Sequence, residues 1–283
     1  MKTYSLGYLR DLPETRHLQP KYLFHVGDSG VPDAVSHESH EHAILDQNTT
    51  GSCTGHGTAQ GVFVAFSIDG SPLSYCPSPK CIYTDTLALE RALSVMAGQA
   101  LPPLQDVGAR PALVMTAISQ YGVRSMQAPS PLGYNSDVDS SNVTDEPRMY
   151  DLEEESDHVS MVQNRIDETQ SNFIEQVCLA LARGGAKGLG APVGVGCFVD
   201  MAFMNYDPQF GPMKTVDLTD PKGGGHWFLI TSYRTGADGK KIFRGPNSWG
   251  PGWGDAGHFE VTEDWLKKSC WDCYPFIAIM RSL

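Results

Sequence analysis

Apolar side chains in the first half of the chain recur at helical spacing. After the small, polar run that opens GSCTGHGTAQGVFVAFSID, residues Val62, Phe63, Ala65 and Phe66 form a stripe, which predicts a buried helix starting near Cys53. Further helices are predicted over 82–96 and over 111–121, the second closed by Gly122 as a C-cap. Residues 173–182 keep an amphipathic helical period, but around them the texture changes. The segments 191–203 (APVGVGCFVDMAF), 226–233 (HWFLITSY), 241–243 and 258–261 are short, rich in β-branched and aromatic residues, and separated by glycine-rich turns such as 236–239. Each predicts a strand. A mainly helical half, 31–128, is therefore followed by a strand-rich half, 173–283.

Two stretches fit neither pattern. Residues 1–30 scatter charge, proline and apolar side chains without a period and read as an extended N-terminal arm that packs on the rest. Residues 129–172 are rich in acids, serines and asparagines, with little to bury, and read as an acidic surface excursion. No internal repeat is present.

With 41% hydrophobic and 19% charged residues in 283, the composition is that of a globular protein. The formal charge of −12 argues against nucleic acid or an anionic membrane surface as partner, because both require a cationic face. No window is long and apolar enough to insert in a membrane, and the first residues lack the apolar core of a signal peptide. The expectation is a soluble chain, cytoplasmic or non-classically exported. The two Asn-x-Thr sequons, at Asn48 and Asn142, carry no weight without a glycosylating compartment. Seven cysteines are too few for a disulfide scaffold, and the odd count leaves a thiol unpaired within the chain.

Three segments supply what a nucleophilic thiol requires: a base, a group to orient the base, and donors for an oxyanion. In DQNTTGSC, Cys53 stands where a helix begins, so the helix dipole favours a thiolate, with an expected pKa of roughly 3 to 4 once a histidine is beside it. Gln47, six residues upstream, can fold back so that its amide and the Cys53 N–H both donate to an oxyanion. His226 opens the apolar strand of GGGHWFLI, and Asn247 in GPNSWGPGWG can accept from its ring and fix the tautomer, with Trp249 covering that bond.

Taken together, in the order Cys, His, Asn, with the glutamine ahead of the cysteine, DQNTTGSCTG, GHWFLI and NSWGPGWG resemble the motifs of the papain-like cysteine peptidases, with a bacterial, xylellain-like flavour. Secondary matches extend the resemblance from about Val31 to Phe276. It implies an α+β fold with a helical left domain, a β-barrel right domain and an active site in the cleft between them. It also implies a peptidase that acts on protein or peptide substrates through a Cys53 thiolate and His226 imidazolium, needs no cofactor, and has Gln47 in the oxyanion hole. The oligomeric state is not implied. Departures are Thr50 where relatives place a disulfide cysteine, Thr54 after the nucleophile, and Gly225 before the histidine. The arm, in this reading, lies near Cys53 and keeps the protein latent, the alternative being a strap across the back of the barrel. A catalytically silent binding module and an amidase or acyl transferase are the rival functions.

Other clusters read as structural. Cys76-x4-Cys81 with Cys270-x2-Cys273 has only half the spacing of a zinc site. In the acidic excursion an arginine, Arg148, stands where a calcium loop needs its glutamate. His37, His40 and His42 read as a solvated histidine-rich loop.

Overall fold

The computed structural model describes residues 4–12, 30–100, 105–126, 158–161 and 164–282. Strand β1 (Ala34–Ser36) precedes three helices, α1 (Cys53–Ile68), α2 (Pro79–Met96) and α3 (Pro111–Tyr121). There follow β2 (His158–Met161), α4 (Phe173–Arg183), β3 (Val193–Val199), α5 (Met201–Met204), β4 (Gly224–Ile230), β5 (Ser232–Thr235), β6 (Lys241–Pro246), β7 (His258–Thr262), α6 (Glu263–Ser269), β8 (Cys270–Pro275) and β9 (Ala278–Ser282). The strands form antiparallel sheets in the orders β1-β5-β6-β7, β4-β3-β8 and β2-β9. The class is α+β, as expected.

Helix α1 begins at Cys53 itself, and α3 spans its expected residues, with Pro111 at its first turn and Gly122 past its end at φ +75°. Helix α2 starts three residues earlier than its apolar period suggests. Ser78 caps it by accepting from the Cys81 N–H at 3.3 Å, and Pro79 fixes the first turn. The single strand expected over 191–203 is interrupted at Asp200, whose carboxylate accepts from the N–H of Phe203 (3.0 Å) and of Asp217 (2.8 Å) and so starts α5. The run 226–233 is likewise two strands. It breaks at Thr231 and passes from the three-stranded sheet to the four-stranded one.

Strand β4 joins the two halves. Its period-2 alternation sends Trp227 and Leu229 into a core shared with α1, α2 and α3, and Phe228 and Ile230 into a second core bounded by α4, β3, β6 and β7. At the centre of the second core Phe203 has the rings of Phe228, Trp249, Trp253, Phe259 and Trp265 within 5.5–5.8 Å of its own.

Two expectations change. Most of the acidic stretch lies outside the described residues, but its end is not surface chain. Arg165, Ile166 and Asp167 are buried, and the Ile166 N–H donates to the Cys273 carbonyl at 2.9 Å, so the chain has already rejoined the fold before 172. His37 is buried too, with Nε2 at 2.7 Å from the Leu181 carbonyl, because β1 pairs with β5 and carries the following turn inward. The histidine cluster is therefore partly an internal tie between the arm-side strand and α4.

Removing the Phe203 ring leaves a cavity lined by aromatic rings that cannot collapse together. Phe203→Ala is expected to lower unfolding free energy by about 3–5 kcal/mol in urea titrations. A loss under about 1 kcal/mol would mean that this aromatic cluster is not the organising core of the strand-rich half.

Candidate active site

The three sequence segments meet. Cys53 stands at the first residue of α1 with no solvent exposure, and the backbone of Trp227, Gly7 and Thr54 lies close enough to its thiol to favour the thiolate. Trp227 follows His226 on β4, so the helix start and the histidine strand face each other. The indole of Trp227 is seated between glycines: a Cβ on Gly57 of α1 would lie 2.6 Å from Cδ1, and one on Gly194 of β3 would lie 2.2 Å from Cζ2. Larger residues at either position would push helix and strand apart.

His226 Nε2 is 2.7 Å from Asn247 Oδ1. That oxygen also accepts from the Ser248 N–H at 2.8 Å, which identifies it as the amide carbonyl and makes Nε2 the protonated ring nitrogen. Nδ1 therefore carries the lone pair, and it makes no hydrogen bond among the described residues. Trp249 lies over the imidazole with ring centroids 4.5 Å apart and planes at 28°.

Gln47 is fully buried and fixed at both ends. Its Oε1 accepts from Ser248 Oγ at 2.6 Å, and its backbone N–H donates to the Ser248 carbonyl at 2.8 Å. Its Nε2 donates to the Thr50 carbonyl at 2.7 Å and to the Ser5 carbonyl at 3.0 Å. Ser248 is thus a positioning residue that motif reading missed, although it lies inside NSWG. Asp106 is another. Its carboxylate accepts from the Gly51 N–H at 2.9 Å and from Tyr83 Oη at 2.7 Å, holding the turn that delivers Cys53. No local sequence signal marks it, since the contact spans 55 residues.

Residues 4–12 of the arm cross this site. Tyr4 stacks on Trp249 at 4.4 Å, Ser5 engages Gln47 and donates through Oγ to the Thr49 carbonyl, and Gly7 lies on the thiol. Beyond it the Tyr8 N–H donates to the Gly225 carbonyl at 3.3 Å, while the N–H of Ala109 donates to the Gly7 carbonyl (2.9 Å) and that of Leu9 to the Ala109 carbonyl (3.0 Å). Backbone meets backbone so closely that a Cβ on Gly7 would fall 1.6 Å from the Gly51 carbonyl oxygen. Only glycine passes there. Residues 4–12 of the arm therefore run beside Cys53, Gln47 and Trp249.

Enclosure acts on the ionisation of both groups. Burial pushes the Cys53 thiol up to about 11 against the pull of nearby backbone N–H groups, and burial holds His226 down to about 4 despite the bond to Asn247. Burial therefore opposes the thiolate and imidazolium expected from the sequence, while the start of α1 favours the thiolate.

This geometry predicts slow chemistry at Cys53 in the 283-residue chain. At pH 7, iodoacetamide is expected to label Cys53 at least tenfold faster in Gly7→Val than in wild type, because the larger residue displaces the arm. Equal rates by mass-spectrometric mapping would show that the arm does not shield the thiol.

No family model matches the chain. An uncharacterized peptidase C1-like protein of Acanthamoeba polyphaga mimivirus is 24% identical over 283 residues, covering 95% of this chain and 80% of its own. Among solved structures, xylellain, a cysteine protease from Xylella fastidiosa, superposes with a TM-score of 0.69 at 19% identity, over 99% of this chain and 98% of its own. Digestive procathepsin L 3 of Tenebrio molitor gives 0.58 at 19% identity over 91% and 74% of the two chains, and bromelain from Ananas comosus gives 0.54 at 16% over 87% and 100%. The order of helices and antiparallel sheets is thus that of the papain-like fold, which this chain adopts.

Proposed function

We propose that the chain is a papain-like cysteine endopeptidase, with residues 31–283 as the catalytic unit and residues 1–30 as an arm that holds it latent. One observation carries the reading. Gln47, Cys53, His226 and Asn247, dispersed over 200 residues, converge with the amide of Gln47 and the ring of His226 each oriented by a dedicated hydrogen bond. A silent binding module has no need of so exact a set.

Once the arm leaves, water and substrate reach the pair, and the proton moves from the Cys53 thiol to Nδ1 of His226. The thiolate attacks the scissile carbonyl carbon, and the C=O electron pair moves to oxygen, where Gln47 Nε2 and the Cys53 N–H donate. Collapse breaks the C–N bond as His226 gives its proton to the leaving amine, leaving an acyl-enzyme. The neutral imidazole then takes a proton from water, hydroxide adds to the thioester, and the thiolate is expelled. Asn247 keeps the ring in one tautomer throughout, and Trp249 excludes water from that bond. In the closed state Gln47 donates to the arm's Ser5 carbonyl, so the arm takes the donor a substrate oxyanion requires, while presenting the thiol with the Gly7 N–H in place of an electrophilic carbonyl carbon. Among the described residues no helix is long and apolar enough to cross a membrane, which is compatible with action on peptides in solution.

Tests separate the roles. With Gly7→Val as the active background, Cys53→Ala is expected to abolish hydrolysis of fluorogenic peptides. Asn247→Ala and Gln47→Ala are expected to lower kcat by about 10²–10³ and to leave residual activity. Full kcat in the Gln47 variant would remove it from the oxyanion hole.

The pH dependence follows from the pair. In the closed state burial lowers the pKa of His226 and raises that of Cys53, and opening moves one proton from the thiol to the imidazole, so the closed and open states bind the same number of protons as long as the open pair is thiolate and imidazolium. Wild-type protein is therefore expected to show little change in Cys53 exposure from about pH 6.5 down to about pH 5, measured by alkylation after brief incubation at each pH and return to pH 7 with immediate quenching. A steep gain in reactivity on acidification would show that opening takes up a proton and that the open pair is not an ion pair.

A further inference from the structure

The arm fills one feature of the cleft that the reaction itself does not use. Immediately beyond the thiol, the ring of Tyr8 enters a slot between two indoles, Trp227 on one side (centroids 6.3 Å, planes at 19°) and Trp271 on the other (6.0 Å, 26°). Its floor is Gly196 of β3, where a Cβ would come within 2.3 Å of the ring. At its end the Tyr8 hydroxyl donates to the carboxylate of Asp272, a fully buried residue of β8, opposite Gly196 in the ladder. The slot is built from the catalytic unit: every wall belongs to β3, β4 or β8, and the arm supplies only the occupant.

Resting on the peptidase reading above, we infer that this slot selects a tyrosine side chain of the substrate, and that Asp272 is the residue that makes the selection. Three features of the walls support tyrosine over other side chains. The two indoles, tilted by 19° and 26° from the tyrosine plane, admit a flat ring and leave branched aliphatic side chains poorly packed. A buried carboxylate left without the hydroxyl of its occupant loses a charge-assisted hydrogen bond, so phenylalanine, identical in shape, is disfavoured. Sites built to bond a hydroxyl reject the analogue that lacks it. Arginine is planar and rich in donors, but Arg165 already stands with Nε 3.8 Å from Asp272 Oδ1, so a second guanidinium would arrive beside a like charge. A phenol brings no charge.

The same chemistry explains why the arm is held by this residue. Asp272 also accepts from the Asp11 N–H at 3.1 Å, and Asp11 accepts in turn from Tyr274 Oη at 2.6 Å and from the Ala112 N–H at 3.2 Å, tying the arm to β8 and to the start of α3. The arm occupies the slot with the side chain the slot is built for.

The test uses the 283-residue chain carrying Gly7→Val, so that the arm is displaced and the slot is open. Binding is read first, in Gly7→Val/Cys53→Ala, as fluorescence anisotropy of labelled pentapeptides in which one position is tyrosine, phenylalanine, leucine or arginine and the rest are fixed, scanning that position along the peptide. At one position tyrosine is expected to bind about tenfold or more tighter than phenylalanine. Addition of Asp272→Asn should bring the two within about threefold by weakening tyrosine alone. Addition of Gly196→Ala, which fills the floor, should weaken both aromatic peptides together, and this variant decides the matter if Asp272→Asn does not fold. Equal affinities for tyrosine and phenylalanine, a preference for leucine or arginine, or no binding of any peptide would overturn the inference. Hydrolysis of the same peptides by Gly7→Val is measured alongside: selective binding without cleavage would sink the peptidase reading and leave the slot's selectivity standing.

Discussion

The seam between α1 and β4 is the contact on which the rest of this molecule depends. Helix α1 reads CTGHGTAQG, and its glycines cost about 0.8–1.0 kcal/mol each relative to alanine in a helix interior. They are retained because the helix must lie against bulky neighbours: a Cβ on Gly55 would meet the Pro79 carbonyl at 2.4 Å, one on Gly57 the Trp227 indole at 2.6 Å, and one on Gly61 the Phe276 ring at 2.6 Å. Local helix stability is exchanged for a close interhelix and helix–strand fit. That fit sets the thiol of Cys53 against the backbone of Trp227, one residue from the imidazole.

Strand β4 makes the seam possible because its two faces feed two different cores. Trp227 and Leu229 are buried with the helices, while Phe228 and Ile230 are buried with the aromatic cluster around Phe203. A one-residue slip would exchange the faces and expel both sets, so the register of β4 is fixed by burial on both sides, and with it the height of His226. Asn247, on the turn after β6, is fixed in turn by its N–H donating to the Gly257 carbonyl at 2.9 Å and by the Ser248 N–H on its Oδ1. The imidazole is oriented by groups that are themselves held.

The arm uses the same economy of space. Gly7, Gly51 and Gly108 let three backbone segments converge beside the nucleophile, with a Cβ on Gly108 calculated to fall 2.3 Å from the Gly7 carbonyl. Burial then acts on charge. Enclosure raises the pKa of the Cys53 thiol and lowers that of His226, so burial favours the neutral form of both groups. Close backbone packing and the shift in ionisation are two consequences of one contact.

Much of this was legible in the sequence. The helical period after Gly51, the strand beginning at His226 and the motif NSWG around Asn247 identified the elements of the site, because local periodicity and turn chemistry act over a few residues. The α+β class and the grouping of Gln47, Cys53, His226, Asn247 and Trp249 came from motif resemblance. The sequence did not contain the breaks at Asp200 and Thr231, which answer to the Asp200 carboxylate capping α5 at the Phe203 N–H and to a change of sheet. Nor did it contain the burial of His37 and Ile166, or the support of the nucleophile turn by Asp106, since these are bonds to partners distant in the chain. The ionisation of Cys53 lay furthest from reach. A helix N-terminus and a paired histidine favour a thiolate, and both are encoded locally. Whether water reaches them depends on where residues 4–12 lie, and only the tertiary structure, by closing three glycines over the thiol, decided that.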